Sequence, residues 1–331
     1  MMRILSGIRP TGNLHLGNYF GAVKNFLKLQ EENECFYFIA DYHSLTTHPT
    51  PENLNNNVKQ ILAEFLACGL DPEKSTIYIQ SDVPETIELY LFLNMNAYIG
   101  ELMRVTSFKD KARKNPNNVN AGLVTYPTLM AADILIHNAD KVPVGKDQEQ
   151  HLEMTRTFAN RFNRMYKTNY FKEPDAFNFG HELVKVPGLD GSGKMGKSEG
   201  EGNAIFLIDD EKTISKKIMR AVTDSGPTEP NQNPPQAIEN LFSLLEIVSE
   251  KETVDFFKES YANCSIRYGD MKKQLAKDMN TFIEPIREKI KSIASNDSVL
   301  SKAAAMGREK ARASAQKTIN DVRNIIGFKK I

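Results

Sequence analysis

Residues 191–198 read GSGKMGKS, and two phosphate chemistries compete for them. Taken as G-x-x-x-x-G-K-S, the stretch is a P-loop, a backbone cradle for phosphates that must be followed directly by a helix. Taken as K-M-x-K-S, it presents two cations, Lys194 and Lys197, to an anionic substrate. A glycine-rich polar stretch can also be a plain linker. The residues downstream favour the second reading. Ser198 is followed by EGEGNAIFLIDD, in which Gly200 and Gly202 would break a helix and AIFLI reads as a strand. The K-M-x-K-S reading needs a second site at the first strand-to-helix turn. There, RPTGNLHLGNYFGA places His15, Gly17 and Asn18 at the opening of the first helix. Gly17 lacks a Cβ, so a purine could pack against its backbone, while the helix N-terminus offers amide donors and a positive dipole to phosphate. His15 could donate to the same phosphates. Alone, such a histidine is a cap and such a glycine a turn residue; beside the two-lysine stretch they make a nucleotide site.

The elements that must position these residues alternate. RILSGI, CFYFIAD, STIYIQS and DKVPVG read as short strands. Helices are expected over 18–32, 52–70 (Thr50 as N-cap, Pro51 in the first turn), 84–103, 126–138 and 147–166, with TSFKDKARKNPNN as a polar, solvated loop between two of them. Continuous apolar strands alternating with helices predict an α/β fold with a doubly wound parallel sheet, covered on both faces and binding ligands at the carboxyl ends of its strands. Beyond residue 203, apart from AIFLIDD, the pattern is helical to the end. The expected division is a Rossmann-like catalytic domain over 1–203, with 104–140 as a connecting and dimerisation segment, then a smaller helical domain over 204–300. A last helix over 301–331 is expected to pack back on the sheet.

Composition narrows the class. The chain has 331 residues, 40% of them hydrophobic, enough for a sizeable core and about two domains. Its 42 basic residues balance 42 acidic ones, so a nucleic-acid partner needs a local patch. From residue 265 onward 15 Lys and Arg face 7 Asp and Glu, a surplus of eight positive charges. Cys35, Cys68 and Cys264 are scattered, which fits neither a structural metal nor a disulfide framework and fits a reducing cytoplasm. No apolar run is long enough to be a membrane span.

With these stretches in view, the chain resembles the class I aminoacyl-tRNA synthetases, HLGN standing for the HIGH motif and KMGKS for KMSKS. It is most similar to the bacterial tryptophanyl-tRNA synthetases through SGIRPTG, HLGNYFGA, YPTLMAADIL, VPVGKDQEQHLEMTR, KMGKS and AVTDS, in that order, from about residue 3 to 225. The resemblance implies activation of L-tryptophan by ATP with Mg²⁺, transfer to tRNA(Trp), a homodimer and a cytoplasmic location. The basic C-terminal helices are similar in kind to that family's anticodon-binding region. A tyrosine-specific enzyme and a non-catalytic paralogue that binds tRNA or amino acid are the alternatives.

Activation is attack of a carboxylate on the α-phosphorus. The nucleophile is already anionic at neutral pH, so the site needs alignment and positive charge and no general base. Lys194 and Lys197 are assigned to the pyrophosphate, His15 and Asn18 to the opposite side, and Lys109 or Lys111 of FKDKARK to a third cation. By resemblance, Arg9, Pro10, Thr11 and Gly17 line the nucleotide site together with Gly196 and Ser198. Gly145, Lys146 and Asp147 hold the ribose, and Val186 and Met195 lie beside adenine. For the amino acid, Asp133 sits inside LMAADILI, where an unpaired carboxylate would be costly and demands a donor. The resemblance implies that it accepts the indole N–H, with Met130 against the ring, Tyr126 and Gln148 on the substrate amino and carboxylate groups, and Gly7 lining the pocket. Arg9 stands where a Gln is common in that family, and Gly196 where KMSKS has Ser.

Overall fold

The computed structural model describes residues 1–143, 145, 149–177, 184–191, 193–196 and 200–328. Five strands, β1 (Arg3–Ile8), β2 (Glu34–Ile39), β3 (Ser75–Ile79), β4 (Lys141–Pro143) and β5 (Asp175–Phe177), form one sheet in the order β3-β2-β1-β4-β5. Every pairing is parallel. The order reverses between β1 and β4, and a crevice opens at the carboxyl ends of strands at such a switch point.

Successive side chains on a strand point to opposite faces, and both faces here are apolar. Ile4, Cys35, Tyr37, Ile39 and Ile77 belong to one core, while Leu5, Phe36, Phe38, Tyr78 and Val142 belong to the other. The first face is covered by α1 (Leu16–Asn18), a π turn over Tyr19–Val23, α2 (Lys24–Leu29) and α4 (Pro51–Cys68); α3 (Asp41–Ser44) follows β2 directly. Thr50 caps α4 by accepting from the Asn53 N–H, and Pro51 opens it, as the sequence suggests. The second face carries α5 (Glu85–Asn94), α6 (Ile99–Leu102), α8 (Ala121–Ile136) and α9 (Glu149–Met165), with α7 (Thr106–Lys114) outside this core.

Three local expectations change. TSFKDKARKNPNN is not a solvated loop: residues 106–114 form α7, held by Phe108 in a small core with Val105 and Leu123. The helix over 84–103 is two helices, α5 and α6, with a break between them. AIFLI is no sheet strand; it forms an isolated antiparallel bridge, His15 opposite Phe206.

The rest is helical: α10 (Glu211–Met219), α11 (Gln236–Val248), α12 (Lys251–Ala262), α13 (Tyr268–Ala294) and α14 (Asp297–Ile326). α13 packs on α4 through the first core. α14 runs back along β3 and buries Ala311, Ala315, Ile319 and Val322 in the second. The approach is close enough that a Cβ on Gly307 would lie 1.6 Å from the Ile77 carbonyl oxygen. This covers an edge strand that would otherwise offer unpaired backbone groups.

Candidate active site

His15 caps α1. Its Nδ1 accepts from the Asn18 N–H at 3.3 Å, and its own N–H donates to Asn18 Oδ1 at 3.1 Å, a reciprocal capping box. With Nδ1 as acceptor, the proton of the neutral ring lies on Nε2. The stretch is fixed from below by Glu64 of α4, which is wholly buried and accepts the Leu14 N–H at 2.8 Å. On its other side the residues after the lysine stretch run antiparallel to it, with Leu16 N–H donating to Ile205 at 2.9 Å and Leu207 N–H to Leu14 at 2.9 Å. The two motifs, nearly two hundred residues apart in the chain, are therefore strapped together by backbone.

Gly17 shows why no side chain fits there. A Cβ would lie 2.9 Å from the His15 ring and 3.4 Å from the Met195 carbonyl. The lysine stretch itself leans on the first motif. Met195 is buried and its N–H donates to the Val186 carbonyl at 2.9 Å, with Val186 buried beneath it. The loop leaves the core through a neck where Asn203 meets residues 188–190: Asp190 N–H donates to Asn203 Oδ1 at 3.0 Å, and a Cβ on Gly188 would lie 2.3 Å from that oxygen. Gly191 (φ +84) and Gly200 (φ +104) flank the loop in the left-handed region, which glycine reaches without strain. Lys194 is exposed and Gly196 half-buried; Lys197 and Ser198 lie outside the described residues. After Gly200 comes a single 3₁₀ turn, Glu201–Asn203, and the bridged segment, and the next helix is α10. The P-loop reading lacks its helix.

Arg9, Thr11, His15 and Asn18 line one cleft with Ile8, Gly12 and Leu14 at the carboxyl end of β1; Pro10 is buried beside them. Lys111, on α7, lies outside that lining, with its ammonium 4.5 Å from the centre of the Tyr126 ring. Burial, and after it the nearby Arg9 charge, holds that ammonium below its ordinary pKa. α7 is pinned to α9 by Ser107 Oγ with His151 Nε2 at 2.9 Å and by Thr106 N–H donating to Gln150 at 2.9 Å. Lys109, by contrast, is exposed, so of the two lysines the structure turns Lys111 inward.

Asp133 is 2% exposed, on α8. Both carboxylate oxygens have partners: Gln80 Nε2 donates to Oδ1 at 2.6 Å and His43 Nε2 meets Oδ2 at 2.7 Å. The His43 ring stands edge-on to Tyr126 at 4.5 Å. His43 and Gln80 come from the segments after β2 and β3, so three chain segments converge on one carboxylate. Neither was singled out from sequence. The available signal was position: both follow apolar strands, where an α/β sheet binds ligands. Met130 is half-buried one turn before Asp133. Gly7 is exposed on β1 opposite Phe38, whose ring would lie 2.4 Å from a Cβ there. Gly145 is exposed; Lys146, Asp147 and Gln148 lie outside the described residues. Among the described residues no group of three His, Cys, Asp or Glu side chains could hold a metal ion, and no helix is long and apolar enough to cross a membrane.

Comparison with known proteins agrees in direction. The family model of class I tRNA synthetases (W and Y) matches residues 1–284. The chain is 64% identical over 329 residues to the tryptophan–tRNA ligase of Porphyromonas gingivalis, covering 99% of this chain and 100% of that one. It is 41% identical to that of Clostridium tetani, covering 98% and 95%. Among solved structures it is similar to tryptophanyl-tRNA synthetase from Campylobacter jejuni in complex with ADP and tryptophan, at 37% identity and a TM-score of 0.89 over 99% of this chain and 100% of that chain.

Proposed function

The chain belongs to the class I tRNA synthetases of the tryptophan and tyrosine family, and from that membership we infer the roles its residues play. The reaction is ligation of L-tryptophan to tRNA at the expense of ATP. The tryptophan carboxylate attacks the α-phosphorus and pyrophosphate leaves; a terminal ribose hydroxyl of tRNA(Trp) then attacks the carbonyl of the adenylate and AMP leaves.

One observation carries the assignment of roles: the capped His15–Asn18 turn, strapped by backbone to the segment that follows the Met195 loop, lines one cleft with Arg9 and Thr11 at the carboxyl end of β1. In this reading the His15 Nε2–H and Asn18 donate to the phosphates on one side, and Lys194 and Lys197 meet the pyrophosphate on the other. Lys111 is the third cation. Pro10, Thr11, Gly17, Gly196 and Ser198 line the nucleotide, Gly145, Lys146 and Asp147 its ribose, and Val186 and Met195 its base. Asp133 accepts the indole N–H, oriented by His43 and Gln80; Met130 and Gly7 line the ring, and Tyr126 and Gln148 hold the amino-acid end. Mg²⁺ arriving with the nucleotide would neutralise charge on its phosphates.

Three further assignments belong to the same reading. Residues 1–203 are the catalytic domain, 204–300 the anticodon-binding domain, and 301–331 a last segment whose described helix, α14, begins at Asp297 and ends at Ile326. A second copy covers the exposed apolar side chains Leu91, Met95, Tyr98, Ile99 and Met103, which lie just before the 104–140 segment; sedimentation should give a dimer, and Met95→Glu should weaken it. The setting is the cytoplasm, where tRNA is charged. ATP–pyrophosphate exchange run with each amino acid tests the whole. Tryptophan alone should support it, exchange with tyrosine would move the specificity, and no exchange would make the chain a binding paralogue.

A further inference from the structure

Two side chains hold Asp133, and the backbone decides which way one of them points. Gln80 opens the 3₁₀ turn Gln80–Asp82 that follows β3 and is 1% exposed. Its Oε1 accepts the Tyr42 N–H at 3.1 Å, and its Nε2 donates to Asp133 Oδ1 at 2.6 Å. A main-chain N–H can only donate, so the atom it meets is the amide oxygen, and the amide nitrogen must turn toward Asp133. A second buried carboxylate holds this arrangement. Asp41 opens α3, two residues before His43, and its Oδ1 accepts both the Tyr42 N–H at 3.0 Å and, from the turn after β3, the Ser81 N–H at 3.0 Å. Asp41 therefore ties the segment that carries His43 to the segment that carries Gln80. A carboxylate is costly to bury without such donors; burial pushes its carboxyl above the ordinary value, and the Ser81 and Tyr42 bonds offset part of that rise. Asp41 does not line the cleft of Arg9, Thr11, His15 and Asn18; its hydrogen bonds run to its own segment and to the turn after β3.

We propose that Asp41 is a positioning residue for amino-acid selection, fixing through Gln80 the donor that orients Asp133. The proposal rests on the reading in which Asp133 accepts the indole N–H, and it deepens that reading. With Gln80 Nε2 on Oδ1 and His43 on Oδ2, the plane of the Asp133 carboxylate is set before any substrate arrives. An indole N–H then meets an acceptor already aimed, while phenylalanine brings no donor and leaves a buried acceptor short of one. A phenol O–H donates from another distance and angle, and a carboxylate held at both oxygens does not swing to follow it. Without Asp41 the Ser81 N–H loses its acceptor, the two segments are no longer tied, and the Gln80 amide can turn. Selection by Asp133 suffers, and the phosphoryl chemistry does not.

The test uses the full chain with Asp41→Ala, Asp41→Asn, Gln80→Ala and the Asp41→Ala/Gln80→Ala double variant, and Asp133→Asn beside them. ATP–pyrophosphate exchange with tryptophan and with tyrosine gives kcat and KM for each amino acid, and urea unfolding reads stability separately. Asp41→Ala should raise the KM for tryptophan about tenfold, the scale of one hydrogen bond to a charged group. It should keep kcat within about twofold, as for a lost binding contact, and lower the preference for tryptophan over tyrosine. Asp41→Asn keeps an oxygen where both N–H groups are received and should restore most of the parental KM. In the Gln80→Ala background, removing Asp41 should leave the preference where it is, because the two residues act in one chain. Asp41→Glu keeps the charge but moves the acceptor by a methylene, so it carries the same expectations as Asp41→Ala and serves where alanine leaves the chain unfolded. A variant that loses stability yet keeps the parental KM and preference overturns the proposal, and so does an equal effect on preference in both Gln80 backgrounds. Asp133→Asn with the parental preference would instead remove the indole reading itself, whereas an impaired Asp133→Asn beside an unaffected Asp41→Ala removes only the part given to Asp41.

Discussion

A carboxylate as deeply buried as Asp133 survives because its two oxygens are already held, by Gln80 and His43. A carboxylate accepts at about four lone-pair positions, so those two bonds orient the group and leave capacity for a further donor, which in the proposed reading is the indole N–H. Asp133→Asn keeps the shape and replaces one acceptor by an amide N–H₂, which must meet either the Gln80 donor or the His43 ring and leaves one acceptor fewer for the incoming indole. Activation of tryptophan should weaken by about 1 to 3 kcal/mol, with discrimination against tyrosine and phenylalanine falling in parallel. Exchange rates for the three amino acids check this, and unchanged selectivity would take Asp133 out of the pocket. The site was half legible in the sequence for a plain reason. His15, Gly17, Asn18 and the two lysines sit in short stretches whose spacing is itself a signal. His43 and Gln80 lie 90 and 53 residues from Asp133 and meet it only where strands of a parallel sheet end together.

Elements followed the strength of their apolar pattern. β1, β2 and β3 read clearly because strands covered on both faces are continuous apolar runs. β5 was invisible because its three residues, Asp-Ala-Phe, are largely exposed. α7 looked like a solvated loop because only Phe108 on it is buried, and a helix held by one side chain leaves little periodicity to see. The junction of α8, β3 and α14 makes a different kind of prediction. His137 is fully buried at the end of α8, between Tyr78 Oη at 3.0 Å and Ser314 Oγ at 3.1 Å and stacked on Phe36. Burial, then the Arg3 charge, pushes its pKa down to about 3. The folded state thus refuses a proton that the unfolded chain accepts near pH 6.5. Stability should be unaffected above that value and fall as the pH drops from about 6.5 toward 3, by up to about 1.4 kcal/mol per pH unit from this group. His137→Gln should start less stable and lack that part of the slope. Urea unfolding of both proteins at pH 7 and pH 5 reads the difference, and parallel losses would show that His137 is not the group responsible.

For the molecule as a whole, the basic stretch from residue 265 onward has two employments, and the structure separates them. Lys272 donates to the Ala221 carbonyl, Arg287 to the Asp209 carbonyl and Lys310 to the Pro72 carbonyl, while Arg312 and Arg323 pair with Glu85 and Glu88. These charges tie α13 to the segments that flank α10, and α14 to the turn before β3 and to α5. Met271, Leu275, Met279 and Ile283 of α13 lie in one core and Ala311, Ala315 and Ile319 of α14 in the other, so deleting everything after residue 265 would open both cores and leave no folded remainder to assay. Charge changes on the open side are the cleaner experiment. Lys273 and Lys277 are exposed on α13, and if phosphates of tRNA rest there, each contact releases counterions and adds about 0.7 to 0.9 to the slope of log affinity against log salt. Lys273→Glu with Lys277→Glu should therefore weaken tRNA binding most at low salt and flatten that slope by about one to two, leaving tryptophan-dependent exchange intact. Arg323→Gln should lower the unfolding midpoint and leave the slope alone. A slope untouched by the paired lysine changes would place the RNA on another face, and a slope near zero in the parent would deny the basic helices any part in holding tRNA.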